Sequence, residues 1–245
     1  MGMRRLRDIL AMGGWSRATL RHFFPASCAC CGEGEAAGGH GLCAACFGGL
    51  GFNLPPHCPG CGGTLDGIFE LCRGCLAQPD RPWARAVSPL RMDGAARRML
   101  HDFKYRGNTA LARTFGELAA KAWLESALEA DCAVPVPLHW GRRLLRGYNQ
   151  SSLAAEVMAA RAGLPLRGLL RRTRWTTPQA RLNQKQREKN LLGAFSVSGR
   201  KFVEGRNIVL VDDVMTTGST LAAASRALLG AGASGVYVLA FTRRY

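Results

Sequence analysis

The chain has 245 residues, 47% of them apolar, and a formal net charge of +16. That length suits one large domain or two smaller ones, and that composition can bury a real core. No apolar run approaches the ~18–20 residues of a membrane-crossing helix, which excludes a spanning segment as the seat of function.

The charge is unevenly placed. Residues 1–80 carry 6 Arg against 6 Asp and Glu, so the whole excess lies beyond residue 80. Residues 140–190 alone hold 12 basic and 2 acidic side chains. A field that concentrated predicts a polyanionic ligand, either a phosphorylated small molecule or nucleic acid.

Residues 1–24 are interrupted by charges and lack a continuous apolar stretch. They read as a short basic amphipathic helix, not a signal peptide, so a cytoplasmic protein is expected. Residues 25–80 are expected to form a separate unit. Here lie four C-x-x-C pairs: Cys28/Cys31, Cys43/Cys46, Cys58/Cys61 and Cys72/Cys75, with gaps of 11, 11 and 10 residues. Two thiolates on a tight turn grip one side of a tetrahedral zinc, and two such knuckles complete a four-cysteine shell. Eight ligands then make two structural zinc sites. A disulfide framework would need an oxidising compartment, for which there is no secretory signal. Cys30 lies inside the first pair and could replace Cys28, whereas Cys132 reads as a small buried hydrophobe. Sequential pairing closes shorter loops than cross-bracing, though the entropic difference is only about 0.6 kcal/mol per doubling of length. The similar glycine-flanked first and third knuckles also favour sequential pairing. Few large apolar residues separate the knuckles, so metal is expected to supply most of this unit's folding free energy.

Residues 76–90 contain three prolines and read as a linker. From 85 to 245 strand and helix patterns alternate. "ARAVSPLRM" reads as a strand, "GAARRMLHDFKYRG" as helical, and "NTALARTFGELAAKAWLESAL" as a helix with Leu111, Phe115, Leu118 and Ala122 on one face. "CAVPVP" reads as a buried strand, "QSSLAAEVMAARAG" as a helix ended by Gly163, and "GAFSVS" as an edge strand. "IVLV" reads as a central strand, "STLAAASRALLGAG" as a helix and "VYVLAF" as the last strand. The expectation is an α/β fold with an open, mostly parallel sheet whose ligand sits at the carboxyl ends of the strands.

Asp212 and Asp213 occupy that position after Ile208–Val211. Adjacent strand residues point to opposite faces, so both carboxylates reach one ligand only where the chain is turning. A carboxylate pair suits a vicinal diol. Thr216, Thr217, Gly218, Ser219 and Thr220 follow, a run of hydroxyls and backbone N–H groups entering a helix, which suits phosphate. Diol acceptors before a phosphate cup describe a ribose 5-phosphate. A Walker B strand would look similar but needs a G-x-x-x-x-G-K-[ST] loop, which is missing.

Ile208–Thr220 resembles the phosphoribosyl pyrophosphate (PRPP) signature of type I phosphoribosyltransferases. The four knuckles, "FKYRGN", "VPVPLHWGRRLLRGYNQ", "TPQARLNQKQREKNLLGAF" and "VDDVMTTGST", in this order, resemble the ComF competence family over residues 25–245. The resemblance implies a type I phosphoribosyltransferase fold behind a double zinc ribbon. It implies that Asp212 and Asp213 hold the ribose hydroxyls and Thr216 to Thr220 the 5-phosphate. A pyrophosphate loop would follow "VPVP" with Arg142, Arg143 and Arg146, and "TRWTTPQARLNQKQREKN" would close over the substrate. Mg²⁺ would accompany PRPP. Lys104 and Arg106 are candidate further phosphate contacts. Transfer of ribose 5-phosphate to an unidentified acceptor is the enzymatic expectation. The family also implies a part in uptake of single-stranded DNA, beside a helicase. For that role Arg142, Arg143, Arg146, Arg171, Arg172 and Arg174 could track a backbone while Trp140, Tyr148 and Trp175 stack bases.

Overall fold

The computed structural model describes residues 26–173, apart from 66, 68 and 79, and residues 193–245. The expected N-terminal helix and most of the expected closing loop lie outside these residues. Two short helices belong to the cysteine-rich part: α1, Ala44–Gly48, and α2, Arg73–Leu76. The remainder runs β1 (Arg85–Val87), β2 (Leu90–Arg91), α3 (Gly94–Tyr105), α4 (Leu111–Glu125), β3 (Cys132–Pro135), α5 (Trp140–Arg146), α6 (Gln150–Ala162), β4 (Leu170–Arg172), β5 (Phe195–Val197), α7 (Arg200–Val203), β6 (Asn207–Met215), α8 (Ser219–Leu229) and β7 (Gly235–Arg243).

The main sheet is parallel, in the order β1-β7-β6-β3, with β2 also pairing with β7. Strand alternation sorts β6 and β7 between two cores. Val209, Val211, Leu239 and Phe241 pack with α3, α4 and α6, while Ile208, Leu210, Val236, Val238 and Ala240 pack with α8. Helices therefore cover both faces, as a parallel sheet requires. Rings of Phe103 in α3, Phe115 in α4 and Phe241 in β7 stack in sequence at 5.7 and 5.8 Å. Each is fully buried, and burial of such a ring contributes about 1.5–3 kcal/mol. Gly116 lets α4 and α6 approach closely: a Cβ there would lie 2.5 Å from Val157 Cβ and 2.7 Å from the Ala154 carbonyl oxygen.

Three expectations are corrected. The strand expected through "ARAVSPLRM" is two strands, because Pro89 has no N–H to keep the ladder running. The proline-rich linker ends early: Ala84 N–H already bonds the Val236 carbonyl, and Trp83 is buried. "GAFSVS" does not edge the main sheet. Its strand β5 pairs antiparallel with β4, absent from the sequence reading, in a separate two-stranded sheet. Each of these strands is only three residues long and buries one end residue, Phe195 or Leu170.

The cysteine-rich part is not packed as an isolated unit. Cys28, Leu42 and Leu50 enter the core on the α3–α4 face, whereas Cys58, Cys61 and Cys75 enter the α8-face core. Between them the chain runs beside the sheet edge. Phe52 bridges Leu90 antiparallel, and the Pro59 carbonyl accepts the Ala86 N–H at 2.8 Å. An otherwise open strand edge is thereby covered.

Candidate functional site and cysteine groups

Beyond Val211 the β3 side of β6 is open, because β3 ends at Pro135 opposite it. The Asp213 N–H on that side is taken by Asp212 Oδ1 at 2.9 Å. The strand continues to Met215, so the chain does not turn at the aspartates. Asp212 instead folds back along the strand to stand beside its neighbour. Ser151 Oγ, in the first turn of α6, donates to Asp212 Oδ1 at 3.0 Å. Lys104 Nζ donates to Asp213 Oδ1 at 2.8 Å in a largely buried ion pair. Phe103, anchored in the aromatic stack, sets the direction of the adjacent Lys104.

Burial, and then the charge of Asp213, push the Asp212 carboxyl up to about 7, against the Asp213 N–H, Lys104 and Ser151. Two adjacent carboxyl groups with one cation on Asp213 are poised for a partner that brings donors, which a diol does.

Gly218 caps α8 at φ 82°, a conformation that favours glycine. Thr217 Oγ1 and Ser219 Oγ lie 2.8 Å apart, and the Ser219 N–H points at Thr217 Oγ1 at 3.4 Å. Thr216, Thr217, Gly218, Ser219 and Thr220 thus lead straight into a helix N-terminus. Behind them Arg243, buried at the end of β7, donates Nη1 to the carbonyls of Met215, at 3.1 Å, and Thr216. A cavity of about 540 Å³ adjoins the loop, lined in part by Arg81, Trp83, Thr217, Gly218 and Arg226.

The expected pyrophosphate arginines separate. Arg142 is half-buried, and burial and then the charge of Arg146 hold its guanidinium below the usual arginine range, while Arg142 and Asp212 both lie within electrostatic reach of Arg172. Arg143 points to solvent. Burial, then Arg142, lower Arg172 to about 10. Lys104 reaches the acidic pair, and Arg106 instead pairs with Asp102 at 3.4 Å on an exposed surface. Tyr148 donates its hydroxyl to the Phe103 carbonyl and stacks on that ring. Trp140 is exposed, while Arg174 and Trp175 lie outside the described residues. Ser151 and Arg243 were not anticipated. Ser151 reads in sequence as an ordinary first-turn serine, and Arg243 as the end of a strand.

The cysteines assemble sequentially. Cys28, Cys31, Cys43 and Cys46 form one group and Cys58, Cys61, Cys72 and Cys75 the other, each with all sulfurs within 4.8 Å. A zinc tetrahedron with Zn–S of about 2.3 Å has edges of about 3.8 Å. The Cys31–Cys43 and Cys61–Cys72 sulfurs are 3.9 and 3.7 Å apart. Backbone N–H groups of Gly34, Cys46 and Cys72 point at the sulfurs of Cys31, Cys43 and Cys58 at 3.4–3.5 Å. Both groups therefore fit structural zinc. Cys30 is outside the first group, and Cys132 is fully buried in β3. The Cys61 thiol is held down to about 4 by its hydrogen bond with Cys75 and, against the opposing effect of burial, by the Arg243 guanidinium. Among the described residues no helix is long and apolar enough to cross a membrane.

Residues 19–76 match the double zinc ribbon domain and residues 149–244 the phosphoribosyl transferase domain. Competence protein F of Haemophilus influenzae is 30% identical over 91% of this chain and 100% of its own length. The DNA utilization protein YhgH of Escherichia coli is 30% identical over 89% of this chain and 97% of its own. Competence protein ComFC of Bacillus subtilis is 28% identical over 71% of this chain and 72% of its own.

Proposed function

Since the chain belongs to the competence protein F family, we propose that it binds PRPP and transfers ribose 5-phosphate to an acceptor in the service of DNA uptake and use. The observation that carries this reading is the acidic pair standing immediately before a hydroxyl-rich loop at the carboxyl end of β6. Asp212 and Asp213 accept the ribose 2′- and 3′-hydroxyls, and the diol replaces or shares Lys104 at Asp213. Thr216 to Thr220 hold the 5-phosphate through backbone N–H groups and hydroxyls. Arg142, with Arg172 beside it, faces the departing pyrophosphate. Arg143 would need to turn inward to join it.

In the reaction the bond from C1 to the pyrophosphate oxygen breaks and a bond from C1 to the acceptor forms. Cations near the leaving oxygens stabilise the charge that develops there. Mg²⁺, when bound with PRPP, would neutralise the pyrophosphate. The described residues gather no cluster of three or more candidate metal ligands beside the acidic pair, so the ion would be held chiefly by oxygens of PRPP itself. Residues 25–80 serve as the zinc-bearing unit and 85–245 as the transferase unit, in the cytoplasm.

Calorimetry with PRPP and Mg²⁺ tests this. Wild type should bind, and Asp213→Ala should lose at least tenfold in affinity, about 1.4 kcal/mol. Absence of heat in wild type, or unchanged binding in the variant, sinks the assignment.

A second reading is supported by exposed Trp140, Arg143 and Arg171. This surface binds single-stranded DNA beside a helicase partner, with bases stacking on Trp140. Its affinity for oligonucleotides should fall steeply with salt, and failure to bind at low salt removes it.

A further inference from the structure

The second cysteine group and the phosphate loop have Arg243, Arg81 and Trp83 as common neighbours. Arg243 bonds the Met215 and Thr216 carbonyls at the entry to the loop. Its other face is turned to the knuckles: Nη2 lies 4.0 Å from where a Cβ would stand on Gly74, between Cys72 and Cys75. Arg81 takes the other side. Its Nη1 lies 2.7 Å from the Cβ position of Gly218, its guanidinium covers Trp83 at 5.1 Å, and its charge acts on Cys75. Arg81 Nε is buried without a hydrogen-bond partner among the described residues. Trp83, 3.0 Å from the same Gly218 Cβ position, donates its Nε1–H to the Gly60 carbonyl inside the third knuckle at 3.0 Å. The first cysteine group has a different set of neighbours. Its segments accept hydrogen bonds from Asn108, Arg113 and Thr114, at Ala29, Gly39 and His40, on the α3–α4 side.

We propose that the second cysteine group is a metal-dependent buttress of the phosphate loop, with Arg243 as the positioning residue that joins them. The electrostatics give the direction. Four thiolates around one Zn²⁺ carry a net negative charge that holds cations beside it. Without metal the third and fourth knuckles lose the common centre that fixes Gly60 and Gly74, and Trp83 and Arg243 lose the surface they are set against. The carbonyls of Met215 and Thr216 then lose a fixed donor, and the N–H groups that follow lose their aim. Loss of metal from the first group leaves these contacts intact.

This inference rests on the phosphate-binding reading above. Coupling between two sites is reciprocal, so the zinc-loaded wild-type chain supplies the first test. With saturating ribose 5-phosphate, a chromogenic chelator should remove one of the two zincs several-fold more slowly and the other at an unchanged rate. The second test is calorimetry with ribose 5-phosphate on Arg243→Gln and Arg243→Lys. Arg243→Gln should bind about tenfold more weakly while retaining both zincs, and Arg243→Lys should recover part of the loss, since lysine keeps the charge without the fork. If wild type binds ribose 5-phosphate but neither zinc is protected, or both are protected equally, the buttress is refuted and the binding reading stands. Wild-type affinity in Arg243→Gln has the same meaning. If wild type does not bind ribose 5-phosphate, the underlying reading fails and takes the inference with it.

Discussion

Replacing Asp212 by Asn should make the ligand-free protein more stable. The folded chain pushes this carboxyl from an ordinary 3.8 to about 7, first by burial and then through Asp213. Below about pH 4 both folded and unfolded chains hold the proton and the group contributes nothing. Between about pH 4 and 7 the unfolded chain has released it while the folded chain keeps it, so stability falls as pH rises through that window. The loss is complete above the folded value. A difference of roughly three units sets a ceiling of about 4 kcal/mol, at 1.36 kcal/mol per unit. Asparagine has the shape of the protonated acid, can still accept from Ser151 and escapes the penalty. Urea titrations should therefore find Asp212→Asn more stable by about 2–4 kcal/mol at about pH 8, with the gap narrowing by about 1 kcal/mol at about pH 6. Equal stability at the higher pH, or a gap that does not move with pH, would show that the carboxyl is not held protonated by the fold.

Lys104→Met leaves Asp213 as a buried charge without its partner. It should cost about 3–5 kcal/mol in urea unfolding, and adding Asp213→Asn should recover most of that. Gly116→Val must push α4 from α6, and thermal unfolding should register a loss of at least about 1–3 kcal/mol. Changing Cys72 and Cys75 together to serine should remove one zinc per chain by metal analysis, with thiol labelling showing the first group still protected. Release of Cys43 and Cys46 with the third knuckle intact would contradict the sequential grouping.

Much of the site was legible because it is local. Asp212 to Thr220 form one strand, loop and helix start, and both the aliphatic run before them and the hydroxyls after them carry a chemical meaning without the rest of the chain. The knuckles were legible for the same reason, while their sequential grouping was only favoured in the sequence, by shorter loops and the likeness of the first and third knuckles, and is what the structure shows. What escaped depends on register across the sheet. Arg243 stands beside Met215 because β6 and β7 run parallel with those two residues as partners, and nothing within either strand announces that pairing. Ser151 reaches Asp212 only because β3 stops short and the chain after it brings the start of α6 over the gap. Nothing within residues 25–80 announces the cores they share with α3, α4 and α8, whose contributing residues lie far along the chain.

The contacts of Tyr245 have a consequence for the order in which the molecule is made. Tyr245 accepts the Thr64 N–H at 2.8 Å and donates to Asn53 Oδ1 at 2.8 Å, across 181 and 192 positions of sequence. During synthesis the cysteine-rich segment emerges well before the strand that walls it in. Contacts of such long sequence separation form slowly. Until β7 is in place, the thiols of the second group and the open edge of β1 face the surroundings together. Metal captured early would shield those sulfurs from oxidation and mispairing while the rest of the sheet is still being built.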